Sequence, residues 1–167
     1  STLAGERQLA ANLLWSLGQP EDLLPLKALL KDPVAAVRRE ALVALLNMQA
    51  RETSGEIASL LSDPDEVVRL SAAEAIADLE KGPLEPLKAL ASDPSPSVRR
   101  AALLARASLG DVSCAENLVR ALRLTPLEGV PPAVYRLGKA RLPAILKFLH
   151  DRRASHADPR ARRRSPP

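Results

Sequence analysis

An internal repeat of 30–31 residues constrains the fold of this 167-residue chain more than any other feature. Three segments align without gaps, beginning at Leu26, Ile57 and Leu87. An Asp-Pro pair and a Val-Arg pair occur once in each segment, and successive copies lie 31 and then 30 residues apart. Self-similarity at this period is typical of solenoids, in which each repeat buries its apolar face against its neighbours.

Each repeat is predicted to contain two helices separated by the Asp-Pro pair. Apolar residues before the pair recur at helical spacing, as Leu26 and Leu30 do in the first copy. Proline disfavours helix at the residue before it but suits the first turn of a new helix, so the pair marks a boundary. We expect the aspartate to be the N-cap of the second helix, with Asp63 and Glu66 forming a capping box.

The second helices carry small residues at matching positions. Small side chains allow neighbouring helices to approach closely, so these positions are predicted to form the contact between repeats. Gly18 and Gly110 stand just after two second helices, where a left-handed residue is expected to end the helix. The small residues are Ala41, Ala44, Ala72, Ala75, Ala102 and Ala105.

The pattern of an apolar helix, Asp-Pro, an arginine six residues after the aspartate, and then Ala-x-x-Ala resembles the HEAT-like repeat over about residues 6–151. It is most similar to the short variety named after phycobilisome lyases. The resemblance implies an all-α fold, a right-handed α-α superhelix of about four to five helix pairs, with the second helices lining its concave face.

The same resemblance implies a ladder of hydrogen bonds between the aspartate and the arginine of adjacent repeats. Six residues turn a helix by roughly 600°, so the two residues of one repeat do not share a face and are expected to pair across the stack. The ladder is expected to consist of Asp32, Asp63, Asp93, Arg38, Arg69 and Arg99.

Both ends of the array are predicted to be irregular. The chain begins at a second helix, so we expect either a piece of a longer protein or an end covered by a partner or by end-to-end self-association. In the fourth repeat Thr125-Pro126 replaces Asp-Pro, and Pro131 stands where the arginine is expected. We interpret this end as a degenerate cap, which closes a solenoid domain at residues 1–151.

The positive charge of the chain is confined to its last residues. Residues 152–167 contain six arginines and one aspartate, whereas residues 1–151 have a net charge of −1. This arginine-rich tail is expected to be disordered, and it is the one segment with the charge to contact nucleic acid. No apolar run approaches the roughly 18 residues of a membrane span, and a cytoplasmic location is expected.

The sequence gives little support to catalysis or to a metal site. His150 and His156 are the only histidines, and the single cysteine, Cys114, occupies an apolar position. A nucleophile would need a base beside it, and a zinc site would need several nitrogen or sulfur ligands. We therefore expect no cofactor and no metal, and favour a non-catalytic protein.

The exposed side of the second helices is the predicted binding surface. It mixes charges of both signs with aliphatic residues and has no aromatics, which favours a protein or peptide partner over nucleic acid. Arg106 replaces the leucine or isoleucine of the other repeats and is either a structural adaptation or part of a pocket. The predicted partner-binding residues are Arg39, Val43, Asn47, Leu70, Glu74, Asp78, Arg100 and Leu104.

The favoured function is thus a protein-interaction scaffold or adaptor, and two alternatives stay open. One is a phycobilin lyase-like protein that handles a chromophore, which the name of the similar family suggests. The other is an adaptor whose tail, residues 152–167, contacts nucleic acid or acidic lipid.

Overall fold

The chain folds into pairs of helices. The computed structural model describes residues 2–17 and 23–123, together with the single positions Pro143, Lys147 and His150. Within the two described ranges there is no strand, and the predicted all-α repeat fold is confirmed. The helices are α1 Thr2–Leu17, α2 Leu23–Leu29, α3 Ala35–Asn47, α4 Ser54–Ser59, α5 Glu66–Leu79, α6 Leu84–Ala89, α7 Pro96–Ser108 and α8 Ala115–Arg123.

The helices form two layers. The second helices α1, α3, α5 and α7 pack side by side in chain order. The first helices α2, α4 and α6 each pack on the second helix that follows, and α8 packs on α7. The in-phase alanines explain the close second-helix layer, because all six are at most 1% exposed and none has a side chain that would hold the helices apart.

The core lies between the two layers and repeats with the sequence. Leu26, Ile57 and Leu87 occupy the same position in successive first helices, and each is fully buried. Burial of such a side chain contributes roughly 1.5–3 kcal/mol. The valine before each ladder arginine is also buried, so every repeat adds an equivalent set of apolar contacts.

The predicted helix caps are wrong. The carboxylate of Asp63 accepts a hydrogen bond from the backbone N–H of Asp65, two residues later (2.9 Å), and Asp65 is the residue that caps α5. The reason is the proline between them, since it holds Asp63 in extended backbone (φ −62°, ψ 142°) and delays the helix. Glu66 does not complete a capping box but instead accepts a hydrogen bond from the Ser95 hydroxyl (2.6 Å).

Helices α3, α5 and α7 each end at a residue in the left-handed region. Gly110 follows α7 with φ 87°, as its position predicted. Its N–H donates to Ala107 and the N–H of Asp111 donates to Arg106, which is the Schellman arrangement. The in-phase residues after α3 and α5 are Gln49 (φ 51°) and Glu80 (φ 49°), so those turns form without glycine.

Several predicted features fall outside the described residues. These are Gly18, most of the degenerate cap after residue 123, and the arginine-rich tail at residues 152–167.

Candidate functional site

Arginine–aspartate pairs join adjacent repeats along one edge of the array. In each pair the arginine of one repeat donates from Nε and Nη2 to the two carboxylate oxygens of the aspartate in the next repeat. The best-aligned pair is Arg38 with Asp63, in which both distances are 2.7 Å. The pairs are Arg7–Asp32, Arg38–Asp63 and Arg69–Asp93.

Two of the ladder arginines, Arg38 and Arg69, also hold their own repeat. Nη1 of Arg38 donates to the backbone carbonyl of Asp32 (2.8 Å), and Nη1 of Arg69 donates to that of Asp63 (2.8 Å). One guanidinium therefore ties the boundary of its own helix pair to the carboxylate of the next. These residues satisfy one another's hydrogen bonds, which is the arrangement that a structural role requires.

The ladder lowers the pKa of two of its aspartates, which favours their charged form. The hydrogen bond from Arg7 holds the pKa of Asp32 below its ordinary value, although burial acts against it, and Arg69 does the same for Asp93. Both side chains of the Arg69–Asp93 pair are nearly buried (13% and 4% exposed), so salt screens this pair weakly, whereas Arg7 is 37% exposed and its pair with Asp32 is screened more.

Sequence reasoning placed Arg99 in the ladder but left out Arg7. Counting back 31 residues from Arg38 leads to Arg7, so the repeat period contained the signal. Arg99 donates to the backbone carbonyls of Asp93 (2.6 Å) and Pro94 (2.9 Å), and no carboxylate within the described ranges pairs with it.

The exposed side of α3, α5 and α7 is termed the second-helix face. The structure leaves Arg39, Asn47 and Glu74 exposed on it. The remaining predicted members, apart from Leu104, are half-buried: Val43, Leu70, Asp78 and Arg100.

Charged groups from three helices interact on the second-helix face. The pKa of Glu74 is raised above its ordinary value, first because surrounding protein atoms displace water from its carboxylate and second because Asp78 repels it. Arg100 and Arg39 act on the Glu74 carboxylate in the opposite direction. The face thus places two acids of α5 between an arginine of α3 and an arginine of α7.

Leu104 does not belong to this surface. It is 2% exposed and packs with Ala107, Cys114 and Leu118 in a small apolar cluster. The prediction of a binding role for Leu104 is wrong because α8 packs against α7, and repeat phase alone does not reveal that contact.

Arg106 is paired within the fold. Its Nε lies 2.9 Å from Oδ2 of Asp111, and its Nη2 donates to the Ser113 hydroxyl (3.3 Å). Burial tends to raise the pKa of Asp111, but hydrogen bonds from Ser113 and Arg106 prevail and lower it. These contacts give Arg106 a structural role at the end of α7, and they do not place it in a pocket.

The described residues contain little that could perform chemistry. Burial raises the pKa of the Cys114 thiol to about 11, so the thiol stays protonated at neutral pH and is a poor nucleophile. Within the described ranges there is no group of three metal-ligating side chains. No helix in those ranges combines the length and apolarity needed to cross a membrane.

Stacked helix pairs, an alanine-lined contact between repeats and an Arg–Asp ladder define an α-helical repeat protein. A family model described as HEAT repeats matches residues 5–77 and again residues 53–131. The chain therefore belongs to the HEAT-repeat family. A search of curated proteins gave no match.

Proposed function

We propose that this chain is a non-catalytic interaction module whose second-helix face binds a protein or peptide partner. HEAT repeats commonly serve as scaffolds for protein interactions, which agrees with this function. The residues proposed to contact the partner are Arg39, Val43, Asn47, Leu70, Glu74, Asp78 and Arg100.

The placement of Glu74 and Asp78 on α5, between Arg39 of α3 and Arg100 of α7, is the observation that carries this proposal. The Glu74 carboxylate is held in a partly desolvated position beside Asp78, and both effects raise its pKa. Ionised Glu74 therefore costs the isolated protein free energy at neutral pH. A lysine or arginine of a partner placed against Glu74 and Asp78 would offset that cost, so we propose a partner segment with a basic side chain.

The neighbouring residues suit the rest of such a segment. Val43 and Leu70 are half-buried, so they offer small apolar contacts beside the charges. Arg39 and Arg100, on either side of the acids, would repel a uniformly basic partner and favour one basic residue flanked by neutral or acidic ones.

A display library of random peptides selected on the full chain tests this function. We expect the selected peptides to contain Lys or Arg and to bind Glu74→Lys about 10-fold more weakly or worse. Glu52→Lys is the matched control, because Glu52 is exposed and lies outside this face.

A thermal unfolding curve for each variant ensures that the comparison is made between folded proteins. If the selected peptides bind Glu74→Lys and Asp78→Lys as tightly as the parent chain, the second-helix face is not the binding surface.

A further inference from the structure

A cleft lies between the start of α7 and the exposed side of α8. Its volume is about 490 Å³. Three arginines and an asparagine line it together with apolar side chains, and none of the lining residues within the described part of the chain is acidic. They are Ala91, Pro96, Arg99, Arg100, Leu103, Asn117, Arg120 and Ala121.

Arg99 is anchored in the same way as the ladder arginine before it. Nη1 of Arg69 donates to the carbonyls of Asp63 (2.8 Å) and Pro64 (3.1 Å). Nη1 of Arg99 makes the equivalent bonds to Asp93 (2.6 Å) and Pro94 (2.9 Å). The backbone of each repeat thus holds the guanidinium and leaves its Nε and Nη2 edge for another group.

In the three preceding arginines that edge holds a carboxylate. Nε and Nη2 of Arg69 bind the two oxygens of Asp93 at 2.8 and 3.2 Å. For Arg99 the in-phase residue of the next repeat is Thr125, which has no carboxylate. Within residues 2–17 and 23–123 no acid contacts that edge of Arg99. The guanidinium group of Arg99 is therefore held in position to bind a carboxylate, but the next repeat has no aspartate at the corresponding position.

The distribution of charge favours an acid from another molecule. Residues 124–167 contain ten Lys and Arg but only three Asp and Glu, so the rest of the chain is poor in candidate acids. Residues 1–123 contain 14 Lys and Arg against 17 Asp and Glu, and this acidic surrounding disfavours a long polyanion such as nucleic acid. A short acidic segment that contacts the cleft alone avoids that repulsion.

We propose that the α7–α8 cleft binds an acidic peptide segment of a partner protein, with the Nε and Nη2 edge of Arg99 holding one Asp or Glu carboxylate in a bidentate pair. Arg100 and Arg120 supply further positive charge along the segment, and Pro96 and Leu103 contact its backbone and aliphatic groups. Arg100 is common to this cleft and to the second-helix face, but Arg99 and Arg120 belong to the cleft alone, so variants of these two residues test the cleft separately from the partner site that includes Glu74 and Asp78.

Fluorescence anisotropy with the full chain tests the cleft. The probe is a labelled decapeptide that contains four aspartates separated by Ser and Ala, and the matched probe has asparagine in their place. We expect saturable binding of the Asp peptide and at least about 10-fold weaker binding of the Asn peptide, because only the carboxylate accepts two charge-assisted hydrogen bonds.

Arg99→Lys separates bidentate recognition from charge alone. Lysine keeps the charge but cannot form the planar pair, so affinity for the Asp peptide should fall about 5- to 10-fold. Arg51→Lys, at an exposed position outside the cleft, should leave affinity unchanged. Arg120→Gln, which alters an exposed residue, provides a second weakening variant that does not depend on the ladder contacts of Arg99.

Three results would overturn the proposal. The first is that the Asp peptide does not bind the parent chain, and the second is that it binds the parent chain and both cleft variants with equal affinity. The third is that a 12-nucleotide single-stranded DNA binds the parent chain more tightly than the Asp peptide does and loses affinity on Arg99→Lys. The last result would assign the cleft to a phosphate backbone.

Discussion

Glu74 is the residue at which stability and the proposed function are expected to oppose each other. Its pKa is raised by partial desolvation and by Asp78. An acid whose pKa is raised by folding destabilises the folded state above that pKa, and this penalty disappears once low pH protonates the carboxylate in both states.

Replacing Glu74 with Gln should therefore stabilise the isolated protein at pH 7. Because Glu74 is exposed, the gain is expected to stay below about 1 kcal/mol, which corresponds to a rise in Tm of roughly 1–3 °C. Differential scanning calorimetry at pH 7 and pH 4 measures it, with Glu52→Gln as the exposed control. The gain should shrink at pH 4, and a lower Tm at pH 7 would contradict the assigned cause.

Replacing Arg106 is expected to lower stability, although the repeat pattern favours an apolar residue at this position. Arg106→Leu restores the residue type of the other repeats, but it leaves the Asp111 side chain, 10% exposed, without its guanidinium partner. We expect a loss of about 2 kcal/mol, since removing one member of a nearly buried pair outweighs the apolar gain. Urea unfolding measures the loss.

A double-mutant cycle with Asp111→Asn controls for the Arg106 pair. The double variant should lose less stability than the sum of the two single losses. Strict additivity would mean that the pair contributes no coupling energy.

At the scale of the helix, three successive repeats use the same left-handed ending with different residues. Only the third has glycine, whereas the first two place Gln49 and Glu80 at positive φ. A side chain in this region costs roughly 1 kcal/mol, because its Cβ approaches the backbone. Gln49→Gly and Glu80→Gly should therefore each raise the free energy of unfolding by about 0.5 kcal/mol. The rest of the relieved strain is offset because glycine loses more conformational entropy on folding than other residues do.

Urea unfolding at neutral pH also checks the two glycine variants. Gly110→Ala is the reciprocal control, and it should lose about 0.5 kcal/mol, because the strain of a side chain at this backbone angle is partly offset by the conformational entropy that glycine no longer loses on folding. If glycine at residue 49 or 80 lowers stability, the side chain of Gln49 or Glu80 makes contacts that outweigh the backbone cost.

The helix pairs follow directly from the sequence, whereas their boundaries do not. The repeat period and the apolar spacing around Leu26, Ile57 and Leu87 contain the two-layer order, because equivalent residues must be buried equivalently. The caps were mispredicted because the proline after Asp63 holds that aspartate in extended backbone, so the helix begins later and Asp65 caps it. The Asp-Pro pair in the sequence marks the boundary between the helices, but it does not show at which residue the second helix begins.

The candidate site was likewise predicted from the sequence only in part. Repeat phase placed Arg39 and Glu74 on the outer side of the second helices, and both are exposed, but it did not predict that the in-phase residue Val43 is half-buried. The burial of Leu104 and the pairing of Arg106 depend on how α8 and the Asp111 turn close the end of α7. Repeat phase carries no information about such an end, because it has no counterpart in the preceding repeats.

At the scale of the whole molecule, the Arg–Asp ladder makes the free energy of unfolding depend on pH. Repeat arrays gain much of their stability from the contacts between neighbours, and each rung joins two adjacent repeats. Because the pKa of Asp32 and of Asp93 lies below the ordinary value of 3.8, their contribution is fully present above that value. It is lost as the pH falls through the lowered folded-state pKa.

We therefore expect the free energy of unfolding to fall as the pH is lowered below 3.8, because the carboxylates of Asp32 and Asp93 then take up protons in the folded state. Asp93→Asn should lower stability at pH 7 and flatten this dependence, because asparagine does not titrate and pairs less strongly with Arg69. Glu52→Gln, at an exposed site, should leave the pH dependence of the free energy of unfolding unchanged.

Urea unfolding across this pH range measures the slope of the free energy of unfolding against pH. An equal slope for Asp93→Asn and the parent chain would show that the ladder does not govern acid unfolding. Since the Arg69–Asp93 rung is nearly buried, adding 0.5 M NaCl should change the slope little, whereas a surface-charge effect would be screened.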